Sequence, residues 1–170
     1  MQGRTHLIGG LAVGLAMLSL DRFQVPLEKS LVCLTAASIG SLLPDIDTPE
    51  SKLGHFVKPL SLALNKTFGH RGITHSPLLL VILYLLLEAL VPDFHNPALF
   101  FAAGMLSHLV LDMLNHKGVP LLYPLPYKFH IASFRNGSLE EFTIRMILYG
   151  ACFLLCLHHV MEKGLPYELF

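Results

Sequence analysis

Seven residues of this chain carry side chains suited to divalent cations and stand beside apolar runs: His6, Asp45, Asp47, His70, His75, His108 and Asp112. Imidazole and carboxylate without thiolate suit zinc, manganese or iron rather than copper(I). The spacing of His108 and Asp112 is i, i+4. On a helix that brings both to one face, close enough to grip one ion or for the carboxylate to bridge two. His70 and His75 are five apart and would fall roughly 140° apart on a helix. The stretch Gly69-His70-Arg71-Gly72-Ile73-Thr74-His75-Ser76-Pro77 therefore reads as an irregular turn at the mouth of a helix, with Ser76 as cap and Pro77 as first helical residue. Asp45 and Asp47 flank a single residue after Pro44 and reach one pocket if the backbone there is extended. A closed structural zinc needs only four ligands. This surplus favours two or more divalent ions, the arrangement that clamps the attacking and leaving oxygens of a phosphoester.

Other candidates have a plainer reading beside the chemical one. Arg71 lies between the two histidines, and its planar fork suits a pair of phosphate oxygens; a cation at lipid headgroups reads equally well. Glu140 is a candidate general acid or further ligand, but Ser138 before it looks like a helix cap, which makes it an ordinary first-turn glutamate. His116 extends the His108 face by a turn, yet it stands just before Gly118 and Pro120, where the helix should end. His158 and His159 close the last apolar run at the opposite face and are left out of the site. The cysteines Cys33, Cys152 and Cys156 lie in apolar surroundings without a C-x-x-C, so packing is their role.

Elements able to bring these residues together are legible in the composition. With 53% hydrophobic and 14% charged residues and a mean hydropathy of +0.57, the chain is too apolar for an ordinary soluble domain. Zero net charge gives no argument for a nucleic-acid partner. Apolar runs cover 5–20, 30–43, 77–92, 98–114 and 143–160. The first has no convincing cleavage site after it and is taken as a retained span, not a signal peptide. All five are short against the roughly 20 residues of a full span, so their helices extend into polar flanks or cross only in part. The expectation is an all-α polytopic membrane bundle of about five transmembrane helices, a single domain over 1–170; the alternative is a soluble bundle with buried helices.

Five spans place the N-terminus, the 44–76 loop and the 115–145 loop on one side. That side holds nine of the twelve basic residues (Arg4, Lys52, Lys58, Lys66, Arg71, Lys117, Lys128, Arg135, Arg145) and the other three (Arg22, Lys29, Lys163). The positive-inside rule makes the richer side cytoplasmic. All seven ligand candidates fall at that same face, and ionisable residues at a membrane edge are functional by default.

At this point the residues resemble the YdjM-type membrane-bound metal-dependent hydrolases. The stretches that carry the likeness are Leu42-Leu43-Pro44-Asp45-Ile46-Asp47, Ser51-Lys52-Leu53-Gly54, Phe68 to Ser76, Leu106-Ser107-His108 with Asp112-Met113-Leu114, and Gly118 to Pro124; His6 and Gly137-Ser138-Leu139-Glu140 match more weakly. Asn115-His116-Lys117 departs from the Thr-Pro type turn of the family. That family is in turn remotely similar to zinc-dependent phospholipase C and P1 nuclease. The resemblance implies a bacterial inner-membrane enzyme that hydrolyses a phosphoester bond in a membrane lipid or lipid-linked phosphate, with zinc the first metal and manganese or iron next. A membrane metal transporter or a non-catalytic metal-binding membrane protein is the competing class. Transporter sites favour the midplane of repeated halves, whereas this chain shows no repeat and gathers its ligands at one edge.

Overall fold

A computed structural model describes residues 1–20, 23, 25–69 and 71–163. Among them are seven α-helices and no strand: α1 (Gly3–Leu18), α2 (Leu27–Leu42), α3 (Lys52–Phe56), α4 (Lys58–Phe68), α5 (Pro77–Leu90), α6 (His95–Met113) and α7 (Leu139–Lys163). The five apolar runs correspond to α1, α2, α5, α6 and α7. Two helical stretches, Glu28–Asp47 and Leu139–Met161, are long and apolar enough to cross a membrane, while α1 and α5 are shorter apolar helices.

The 44–76 segment, read from sequence as a loop, contains two helices. Ser51 starts α3 by accepting the Gly54 N–H at 2.9 Å. Pro59 lies in the first turn of α4, where its missing N–H costs nothing. Asn65 of α4 donates to the Asp47 carbonyl at 2.8 Å and so ties the helix to the aspartate-bearing turn. Ser76 caps α5 by accepting from the Leu79 N–H, with Pro77 at its first turn as expected.

α2 packs between α1 and α6; α1 also touches α6 and α7, and α5 leans on α6. One apolar core joins Met17, Leu18, Cys33, Ala37 and Phe100, and a second joins Ile8, Ala12, Leu15 and Cys152 across α1 and α7. The outer helices bury little. Only 6% of the apolar stretch of α7 is inside the bundle, and Ile147, Phe153, Leu154 and Met161 stand exposed along it. α5 has no buried residue and exposes Leu78, Val81, Ile82, Leu85 and Leu86. A soluble bundle would turn such surfaces inward, because contiguous exposed apolar area of this kind marks contact with lipid or a partner.

α2 and α6 approach at the level of their backbones. A Cβ on Gly40 would run into the Phe101 carbonyl, and one on Gly104 into the Ala37 carbonyl. Helices this close are held by packing that a single methyl disrupts. Gly40→Ala is expected to lower stability by roughly 1–3 kcal/mol, since the obstructing atom is backbone and cannot rotate away. Gly150→Ala on α7, where a Cβ meets nothing within 4 Å, is the matched control and should leave the thermal unfolding midpoint in detergent unchanged or slightly raised.

Candidate metal centre

The contact between α2 and α6 sets the first ligand. It brings the Ser41 carbonyl to 2.7 Å from His108 Nδ1. A carbonyl only accepts, so Nδ1 carries the proton and Nε2 presents its lone pair. His75, in the 3-10 turn Ile73–His75, is oriented from the other side. Its Nδ1 lies 3.3 Å from Asp47 Oδ2 and 3.1 Å from Thr74 Oγ1. The Thr74 hydroxyl itself donates to Asp47 Oδ2, which leaves its lone pairs to accept from His75 Nδ1. His75 Nε2 therefore also presents a lone pair. The two Nε2 atoms face each other at 3.3 Å.

Asp112 is the centre of charge. Its Oδ2 lies 2.7 Å from Arg71 Nη2, 3.5 Å from His75 Nε2 and 3.6 Å from His108 Nε2. Its Oδ1 lies 2.6 Å from the Met1 α-ammonium and 3.3 Å from His6 Nε2. His6, wholly buried on α1, stacks on His108 with ring centroids 3.6 Å apart. Neither ring nitrogen of His6 makes a hydrogen bond to another described residue. Asp45 Oδ1 stands 3.9 Å from both His75 Nε2 and His108 Nε2. Among the described residues two groups could hold a metal: His6, His108 and Asp112, and Asp45, His75 and His108, with the ligand atoms of each group within 4.8 Å of one another. Asp45 is the member that reaches the surface, its side chain 17% exposed against 1% for Asp112.

Burial tests what occupies the space between the facing nitrogens. His75 is held below its ordinary pKa chiefly by burial, with Asp47 pulling the other way. With Nδ1 of His108 engaged by Ser41 and Nδ1 of His75 by Asp47, the two Nε2 atoms 3.3 Å apart form a donor pair that suits a divalent ion.

The other sequence candidates separate on this geometry. Asp45 and Asp47 sit not in extended chain but in a 3-10 turn, Leu43–Asp47, because the chain goes on coiling past α2 with Pro44 in its first turn. Two positions apart on such a turn, they face different ways. Asp45 joins the cluster, while Asp47 stands behind His75, accepting from the Arg71 N–H at 3.0 Å, Thr74 and Thr48. Arg71 is 4% exposed and sits in the left-handed region at φ 59°. Asp47 on its amide, Asp112 on Nη2 and the Gly118 carbonyl at 3.1 Å on Nη1 hold it there. His70 lies outside the described residues. His116 is exposed, with Nδ1 3.3 Å from the Phe134 carbonyl. His158 and His159 lie toward the far end of α7.

Glu140 is exposed at the start of α7, and its neighbour is the buried one. Glu141 accepts from the Gln2 N–H at 2.5 Å, Thr5 Oγ1 at 2.8 Å and the Gly137 N–H at 2.6 Å. It thereby fixes the first turn of α1, one residue from His6. The pair Ser138-x-x-Glu141 is the only signal for it in the sequence, since Ser138 Oγ accepts the Glu141 N–H at 3.4 Å. Glu141→Ala leaves three donors without their acceptor and is expected to cost roughly 2–4 kcal/mol in thermal unfolding. Glu140→Ala should change stability by no more than about 0.5 kcal/mol; equal losses would mean that the clamp does not hold α1.

An all-helical, apolar chain whose buried histidine–aspartate groups could hold a metal is the class that fold and site define. The chain belongs to the YdjM inner membrane protein family, whose model matches residues 1–164. It is 31% identical over 162 residues to the uncharacterized protein YvsG of Bacillus subtilis, covering 95% of this chain and 96% of that one. It is 41% identical over 114 residues to inner membrane protein YdjM of Escherichia coli, and equally to that of Shigella flexneri; these alignments cover 63% of this chain and 58% of the relative. No solved structure matches the chain.

Proposed function

We propose that this protein is a metal-dependent hydrolase of the bacterial inner membrane, acting on a phosphoester of a membrane lipid or lipid-linked phosphate. The observation that carries the metal is the pair of oriented Nε2 atoms of His75 and His108, 3.3 Å apart. Asp45, His75 and His108 would hold one divalent ion and His6 with Asp112 a second, since the single free lone pair of His108 serves one ion only; zinc comes first and manganese or iron next. When bound, such ions make water nucleophilic near neutral pH, about 7, and offset charge on phosphoryl oxygens. The chain's own residues supply orientation. Ser41 fixes His108 and Asp47 fixes His75, the outer hydrogen bonds that ligating histidines require. Arg71 balances Asp112 and keeps its Nε–H, buried without a hydrogen-bond partner among the described residues, beside the site.

On this reading α1, α2, α5, α6 and α7 all cross the membrane, alternating in direction. The cluster then lies at the end where α1, α5 and α7 begin and α2 and α6 finish. Nine of twelve basic residues belong to that end, so it faces the cytoplasm. Its place at one end, with Asp45 open to the surface, supports hydrolysis over transport, for which a site near the midplane is expected. The test is phosphate release from phosphatidate and polyprenyl phosphates in detergent with added zinc or manganese. Release that stops on chelation and in His108→Ala supports the proposal; no turnover by protein shown to hold metal rejects the hydrolase and leaves a metal-binding membrane protein.

A further inference from the structure

Two cavities meet over Asp45. One, of about 240 Å³, is polar and has Arg71, Lys117, Asn136 and Thr48 in its wall. The other, of about 270 Å³, runs past Leu42 and Leu53 with Arg4 and Lys52 at its side. Gly3, Asp45, Glu50 and Ser51 belong to both, so the two are arms of one groove. Each arm alone falls below the roughly 300 Å³ at which small-molecule pockets begin, and only together do they reach the size of a substrate site.

The groove is charged for an anion. Four cations, Arg4, Lys52, Arg71 and Lys117, face two carboxylates, Asp45 and Glu50. Among the described residues Arg4, Lys52 and Lys117 enter no ion pair, so their charge is not spent on the fold. Arg71 adds a second sign. It is 4% exposed, lines the polar arm, and its Nε–H has no hydrogen-bond partner among the described residues. The other arm offers half-buried leucine surface instead of donors.

Resting on the metal-centre reading, we propose that the groove over Asp45 binds a phosphate group borne on an apolar chain. The phosphate lies with Lys117, Asn136 and Arg71, and the chain leaves along Leu42 and Leu53. Lys117 is then a substrate-binding residue and Leu53 the start of the chain's path. Both lie on the surface side of the site, so changing them leaves the buried cluster intact.

The full chain in phosphatidylcholine nanodiscs tests this by equilibrium binding of two soluble probes, inorganic phosphate and hexyl phosphate, with metal content measured on each sample. Wild-type protein is expected to bind hexyl phosphate about tenfold more tightly than phosphate, the effect of one or two well-buried methylenes. Lys117→Gln should weaken both probes about tenfold, as loss of a charge-assisted contact does. Leu53→Ser should weaken hexyl phosphate alone. Equal affinity for the two probes, or a Lys117→Gln protein that binds both like wild type, overturns the proposal. Metal content separates the two readings: metal-free protein that keeps both probe effects preserves the groove and removes the metal centre, while metal-loaded protein lacking them does the reverse.

Discussion

Asp112→Asn is expected to cost roughly 3–5 kcal/mol of stability and to remove the ion it holds with His6, the largest effect of any single substitution in this chain. The carboxylate is 1% exposed and lies 2.7 Å from Arg71 Nη2 and 2.6 Å from the Met1 α-ammonium. An amide matches the shape and forfeits the charge, so two buried cations lose their counter-ion while remaining desolvated. Thermal unfolding in detergent with excess chelator isolates this loss from that of bound metal. Asp112→Asn combined with Arg71→Met should recover part of it, because the double change removes one of the stranded charges. Asp45→Asn is the contrast. At 17% exposed, with its nearest imidazole nitrogens 3.9 Å away, Asp45 carries little of the fold, and its loss should lower metal content with the apo-protein unfolding as before. An Asp112→Asn protein that unfolds like wild type in chelator would show that the ion pairs around Asp112 do not support the fold.

His108→Ala and His6→Ala should differ in which ion they leave. His108 serves the ion of Asp45 and His75, and His6 the ion of Asp112. Without His108 the first group keeps two ligands, and its affinity should fall by more than the roughly 10–100-fold that loss of an outer hydrogen-bond partner costs. Without His6 the group of Asp45, His75 and His108 remains whole. Elemental analysis after dialysis against limiting zinc is expected to give about half the wild-type content for each variant and no metal for the two combined. No metal in either single variant would mean one shared ion and not two sites.

What the sequence made legible follows from the range of the interactions. The apolar runs could be read because burial in lipid or core leaves a local record in composition, and α1, α2, α5, α6 and α7 lie along them. His108 and Asp112 were paired by helical periodicity alone. That His6, Asp45 and His75 converge on the same pair follows from antiparallel connection of the helices, which puts their bearing ends together. The roles of Asp47 and Glu141 were beyond such arguments. Asp47 turns from ligand candidate to partner of His75 because the backbone after α2 coils instead of extending. Glu140 and Glu141 differ by one position on α7, about 100° of rotation, and only the packing of α7 on α1 decides which carboxylate meets Gln2 and Thr5. Arg71 was legible as a cation near a site, but its pairing with Asp112 joins residues from two distant parts of the chain that no local pattern links.

The central claim is that the buried imidazoles and carboxylates exist to hold metal. Its most direct measurement is the metal content of wild-type protein purified without chelator, with thermal unfolding recorded before and after chelation and on return of zinc or manganese. The account predicts close to two ions per chain, a lower unfolding midpoint once they are removed, and its recovery on reloading. Protein that arrives with no metal and gains no thermal stability from added zinc or manganese would contradict it.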